Sequence, residues 1–154
     1  MNILVISDTH GNIRQTVRAC DQLQPDAVIH LGDGNEEALL LMAALDVPVI
    51  AVAGNCDRHA DSPRELVWEC LGKRLLLTHG DVYDVKRGAA RLEQRGVEVG
   101  ADAVLYGHTH IPTVYWVSDM LVLNPGSLMG ASRGTCAVCR VDESGITAAI
   151  HEVG

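Results

Sequence analysis

Phenylalanine is absent from this chain of 154 residues, and aromatic residues together make up only 3% of it. A core built of stacked rings is therefore excluded, and the 47% of residues that are hydrophobic must pack chiefly as valine, leucine, isoleucine and alanine. Aliphatic interiors of this kind suit parallel strands covered by helices on both faces. Long apolar runs are missing too. The most apolar stretch, Leu39 to Gly54, is broken by Asp46 and Pro48 before it reaches membrane-spanning length, and the chain does not open on a charged and then apolar leader. We therefore expect a soluble, cytoplasmic protein with no membrane partner. Basic residues never cluster beyond Lys73-Arg74 and Lys86-Arg87, and 20 acidic residues against 12 basic ones give a net charge of -8. That balance excludes a nonspecific nucleic-acid-binding surface. Cysteine is sparse: Cys20, Cys56, Cys70, Cys136 and Cys139 are odd in number and form no dense framework, as expected of reduced cytosolic thiols. Cys136-Ala137-Val138-Cys139 has redox or zinc spacing, but it lies in an expected strand without a second ligand pair. Its thiols should fall on opposite strand faces.

The length suits one domain, residues 1–154, burying roughly two-thirds of its unfolded surface. Strand 2–7 precedes a helix at Ile13 to Leu23 with Asn12 as N-cap and Pro25 beyond its end. Strand 27–31, a helix at Glu36 to Leu45 capped by Asn35, and strand 49–52 complete a β-α-β-α-β unit. The helix opens with two acids, which suits its dipole. Segments 65–70 and 73–78 flank Leu71-Gly72 and read as a hairpin. A third helix is expected from Val85 to about Arg95 with Asp84 as cap, followed by strand 103–106. Short strands near 113–117, 120–123, 135–141 and 146–151 give the second half an antiparallel character. Two packed sheets with helices outside should result.

Five apolar runs end directly on residues able to hold a metal: Asp8-Thr9-His10, Gly32-Asp33, Gly54-Asn55, Thr78-His79-Gly80 and Gly107-His108-Thr109-His110. Each run reads as a buried strand, so every candidate sits at a strand's carboxyl end. Such recurrence is the signature of a two-metal site. Two ions need a shared ligand, and a carboxylate suits this because its oxygen lone pairs can serve both; Asp33 is the best candidate. Mixed oxygen and imidazole donors favour manganese, iron or zinc over calcium. Bound cations would also reverse the local charge and let an acidic protein attract a phosphate ester.

The ordered set Asp8-Thr9-His10, Gly32-Asp33, Gly54-Asn55-Cys56-Asp57, His79-Gly80 and Gly107-His108-Thr109-His110 resembles the calcineurin-like metallophosphoesterase superfamily. The short length, the Gly54-Asn55-Cys56-Asp57 form and Asn124-Pro125-Gly126-Ser127 are most similar to its small prokaryotic phosphodiesterases. The resemblance implies an α/β four-layer sandwich of two mixed sheets flanked by helices. It implies one metal held by Asp8, His10, Asp33 and His110 and a second by Asp33, Asn55, His79 and His108, with manganese first and iron, zinc or nickel as alternatives. The implied activity is hydrolysis of a phosphodiester by in-line attack of a hydroxide bridging the two metals. Phosphomonoester hydrolysis, or a scaffold role like that of a coat protein in the superfamily, are the alternatives. Where relatives commonly carry Gly-Asn-His-Glu, with the histidine assigned to leaving-group protonation, this chain has Cys56 and Asp57. Both are candidate catalytic residues, Cys56 as an unusual proton donor and Asp57 as a group that orients a ligand by hydrogen bonding.

Other polar residues have plainer readings. His30 is expected to be packed in a strand, His59 and His151 to face solvent, and Asp61, Asp81 and Asp84 to be solvated loop or cap residues. Asn124 to Ser127 reads as a turn beside the metal site, and Leu39 to Met42 as core packing. No motif marks the part of a substrate beyond its phosphate, or an oligomer contact.

Overall fold

The computed structural model describes residues 1–130 and 133–154. In chain order the elements are β1 (Asn2–Ile6), α1 (Ile13–Leu23), β2 (Ala27–His30), α2 (Asn35–Ala44), β3 (Val49–Ala51), β4 (Glu65–Cys70), β5 (Lys73–Thr78), a 3-10 turn (Asp81–Tyr83), α3 (Ala90–Glu98), β6 (Ala103–Leu105), β7 (Thr113–Val117), β8 (Met120–Asn124), β9 (Gly134–Asp142) and β10 (Gly145–Val153). They form two five-stranded sheets, ordered β10-β9-β1-β2-β3 and β4-β5-β6-β8-β7. Both are mixed. β1, β2 and β3 run parallel, as do β5, β6 and β8, while hairpins flank each set.

Period-two alternation decides which side chains meet. Ile3 and Val5 of β1, Leu75 and Leu77 of β5, and Leu121 and Leu123 of β8 fill the space between the sheets. Their neighbours Leu4 and Ile6 face outward to Ala19, Cys20 and Leu41 of α1 and α2. On the other outer face Leu76, Val104 and Val122 pack on Leu92 of α3. Three apolar layers therefore separate four layers of structure, and burial on both faces of the inner strands β1, β2, β6 and β8 explains why they are aliphatic almost throughout. Each fully buried leucine contributes about 1.5–3 kcal/mol. Cys136 falls in an outer layer and Cys139 in the central one, on opposite faces of β9.

Several local expectations need correction. α2 begins at Asn35 and has Gly34 at its N-cap, with no side-chain cap bond of its own. The donors at its start are taken by Asp57, from outside the helix. The third helix starts at Ala90, because Asp84 (φ 55°) and Gly88 (φ 143°) turn the preceding segment away from helical geometry. Asp84 closes the 3-10 turn instead of capping a helix. The second half is not simply antiparallel: β5, β6 and β8 are parallel, and β9 and β10 return to the first sheet beside β1. Of the run Leu39 to Met42 only Leu41 is buried; Leu39, Leu40 and Met42 are 53%, 54% and 42% exposed. A helix lying on a sheet turns only about one residue in three or four inward. Among the described residues no helix is long and apolar enough to cross a membrane.

Candidate metal centre

The carboxyl ends of the parallel strands of both sheets point the same way, and the loops leaving them meet. Asp8 N–H donates to Gly32 O at 2.9 Å and His10 N–H to Asp33 O at 2.9 Å, tying the β1 and β2 loops together. His108 N–H donates to Asp8 Oδ2 at 3.0 Å, which joins the second sheet to the first. Five of the seven candidate ligands, Asp8, His10, Asp33, His108 and His110, have φ between 42° and 70°. Left-handed backbone is uncommon for such residues and persists only where its surroundings enforce it, typically at functional sites. It turns side chains inward just as each strand ends.

The two carboxylates are used alike. Asp8 Oδ2 accepts from Ser7 Oγ at 2.6 Å as well as from His108 N–H, leaving Oδ1 at 3.1 Å from His110 Nε2, 3.6 Å from His10 Nε2 and 3.8 Å from His79 Nε2. Asp33 Oδ1 accepts the Cys56 N–H at 2.8 Å, leaving Oδ2 at 3.2 Å from His79 Nε2 and 3.7 Å from His10 Nε2. A Cβ on Gly54 would stand 2.2 Å from Asp33 Oδ1, so glycine is required there. One oxygen of each carboxylate is thus fixed to its surroundings and the other is offered to a ring of imidazoles.

His79 is fully buried, and its Nδ1 donates to Leu31 O at 2.7 Å. Its Nε2 lone pair is therefore aimed at Asp33, with His108 Nδ1 another 3.2 Å away. Two imidazole nitrogens and a carboxylate oxygen at this spacing need a proton or a cation between them. Burial favours neutral His79, but the hydrogen bond and charge of Asp33, with Asp8, raise its pKa above the usual histidine value. Burial likewise favours protonated Asp33, and is outweighed by His79 and the Cys56 N–H, which hold the carboxyl far below the usual range. His108 is pushed down by burial and then by His79. The ligand atoms of Asp8, His10 and His110 lie within 4.8 Å of one another, as do those of Asp33, His79 and His108, and those of His10, Asp33 and Cys56. This donor set fits divalent cations of the transition series.

Six of the seven candidate ligands are linked into one cluster by these contacts. Asn55 is exposed, its side-chain nitrogen 3.6 Å from Cys56 Sγ. Cys56 is exposed on the loop after β3, and partial desolvation followed by the charge of Asp33 raises its thiol pKa. Asp57 touches backbone, not a histidine: its carboxylate accepts the N–H groups of Asp33, Gly34, Asn35 and Gly54 at 2.6, 3.0, 3.0 and 2.8 Å. The hydrogen bond expected between Asp57 and a candidate ligand is made to the backbone of Asp33, not to an imidazole. What it holds is the main chain at Asp33.

His30 is packed as expected, 1% exposed, and burial lowers its pKa to about 4. His59 and His151 are exposed. The Asn124–Ser127 turn braces the centre: Asn124 Nδ2 donates to Gly107 O at 3.0 Å and Ser127 Oγ to Asp8 O at 2.7 Å. A cleft of about 450 Å³ opens beside His10, Asp33 and Cys56, with Arg58, His59 and Leu39 along its walls. A cavity of about 480 Å³ among Lys73, Trp116 and Arg140 lies near the amino ends of β5 and β6 and holds none of the candidate ligands.

Comparison with known proteins gives the centre its chemical context. The calcineurin-like phosphoesterase superfamily domain matches residues 1–144. Bacillus subtilis YsnB, a probable metallophosphoesterase, is 35% identical over 130 residues, covering 83% of this chain and 75% of its own. Escherichia coli K12 YfcE, a phosphodiesterase, is 29% identical over 153 residues, covering 83% of this chain and 79% of its own. A conserved predicted phosphoesterase from Streptococcus pneumoniae TIGR4 superposes with a TM-score of 0.82 at 30% identity, over 99% of this chain and 92% of that one. Fold, site and relatives together define the class of protein, a metal-dependent phosphoester hydrolase. The chain belongs to the calcineurin-like phosphoesterase superfamily.

Proposed function

We propose that this protein is a phosphodiesterase working with two divalent ions. One would be held by Asp8, His10, Asp33 and His110, the other by Asp33, Asn55, His79 and His108, with Asp33 between them. The single observation that carries this reading is the position of Asp33 Oδ2, 3.7 Å from His10 Nε2 on one side and 3.2 Å from His79 Nε2 on the other. When bound, two such ions supply Lewis-acid charge and an activated water for in-line attack at phosphorus. Four imidazoles among the donors favour manganese over magnesium, which prefers oxygen. A diester, not a monoester, is the substrate class, in keeping with the name of the E. coli relative.

The chain's own contribution is geometry. Asp8 and Asp33 are pinned by hydrogen bonds to one oxygen each, so they cannot swing out of the centre. Asp57 fixes the loop that carries Asp33. Cys56 lines the cleft and would give its thiol proton to the leaving oxygen. Five free thiols support a reducing, cytoplasmic setting.

The test is hydrolysis of bis(4-nitrophenyl) phosphate by metal-stripped protein, then after addition of manganese or magnesium. Activity should vanish with chelation, return with manganese and return poorly with magnesium. Full activity in excess chelator, or none in protein that has taken up manganese, would contradict the proposal.

A further inference from the structure

Three polar side chains behind the centre belong to no ligand set. Thr9, His30 and Glu37 are 0%, 1% and 4% exposed, and they form one continuous chain of hydrogen bonds. Gly32 N–H donates to His30 Nδ1 at 3.1 Å, which leaves the ring proton on Nε2, 3.0 Å from Thr9 Oγ1. The Thr9 hydroxyl donates in turn to Glu37 Oε1 at 2.7 Å, and the same oxygen accepts Gly11 N–H at 2.6 Å. The chain therefore starts at the residue before Asp33 and ends at the residue after His10. Gly34 makes room for it, since a Cβ there would stand 1.8 Å from Thr9 Oγ1 and 2.7 Å from His30 Nε2.

We infer that Thr9, His30 and Glu37 are positioning residues that set the separation of His10 from Asp33, and with it the hold on the ion those two residues share. The inference rests on the dinuclear reading given above. The loop it concerns has φ of 54° at Asp8, 42° at His10 and 86° at Gly11, so its conformation needs support from outside itself. One backbone bond, His10 N–H to Asp33 O, links the two ligands directly. The buried chain is the second link, and its members are shielded from solvent. Each donor proton is used once, and the donations from both sides converge on Glu37 Oε1, so removing the middle hydroxyl uncouples the His30 end from the Gly11 end. Outer groups that orient metal ligands are typically worth about 10–100-fold in metal affinity.

Manganese titration calorimetry on stripped protein tests this with Thr9→Val, which removes the hydroxyl at nearly constant volume, and Thr9→Ser, which restores it. Thr9→Val should weaken one of the two ions by about 10–100-fold and leave the other within about twofold, and Thr9→Ser should recover both. Should Thr9→Val fail to fold, His30→Asn cuts the same chain at its other bond to Thr9 and should give the same selective loss. Unchanged affinity for both ions, or equal weakening of both alongside a lower melting temperature in chelator, would overturn the inference. A wild type that binds one ion would overturn the dinuclear reading alone, because the variants still report whether the ion at His10 is held less tightly.

Discussion

Asp57 Oδ2 accepts the backbone N–H of Asp33 at 2.6 Å, so the residue proposed to bridge two ions is held by a carboxylate 24 positions further along the chain. The same carboxylate covers the first N–H groups of α2, where the helix dipole favours negative charge. Asp57→Ala should therefore lower unfolding free energy by roughly 1–3 kcal/mol, through donors left unsatisfied, and weaken manganese binding as well. Asp57→Asn, which keeps one acceptor oxygen, should fall between. Urea unfolding with parallel metal titration checks both effects; an Asp57→Ala protein with wild-type affinity and stability would remove its role.

Asp33→Asn should weaken both ions together, since a neutral amide replaces the carboxylate shared by the two sets. Metal analysis after dialysis reads this directly. Loss of one ion with full retention of the other would reject the bridge.

Cys56 lines the cleft beside Asp33 and is the proposed proton donor to the leaving group. Nitrophenolate departs with little help, whereas an alkoxide generally needs a proton, so the protein should strongly prefer aryl over alkyl leaving groups. Cys56→His should narrow that ratio while both ions stay bound. An unchanged ratio in a fully metallated variant would take leaving-group protonation away from position 56.

His30 gives a pH signature. Burial lowers its pKa from 6.5 to about 4, so between those values the unfolded chain takes up a proton that the folded chain refuses. Its contribution is complete above pH 6.5 and is lost as pH falls toward 4, a change of about 3 kcal/mol. His30→Gln keeps a donor for Thr9 and does not titrate. In metal-stripped protein the stability advantage of wild type over this variant should shrink across that window, and a pH-independent difference would refute the assignment.

The strands were legible in the sequence because alternation or continuous apolarity marks them, and the hairpin at Leu71-Gly72 formed where its turn residues placed it. The candidate ligands were legible for a related reason: each lies in the loop that follows an apolar strand, within a few residues of its end. What local pattern could not carry was anything set by distant contacts. Asp57 reads as one more loop acid until the fold brings it against Asp33 and α2. Glu37 reads as a helix-dipole residue until it meets Thr9. Val85 to Arg95 has helical composition, but the left-handed Asp84 and Gly88 delay the helix to Ala90.

The central claim, two ions sharing Asp33, is tested most directly by anomalous diffraction from manganese-loaded crystals. Two peaks about 3.5–4 Å apart, with Asp33 Oδ2 between them, are the expected result. A single peak, or two peaks of which only one touches Asp33, would contradict it.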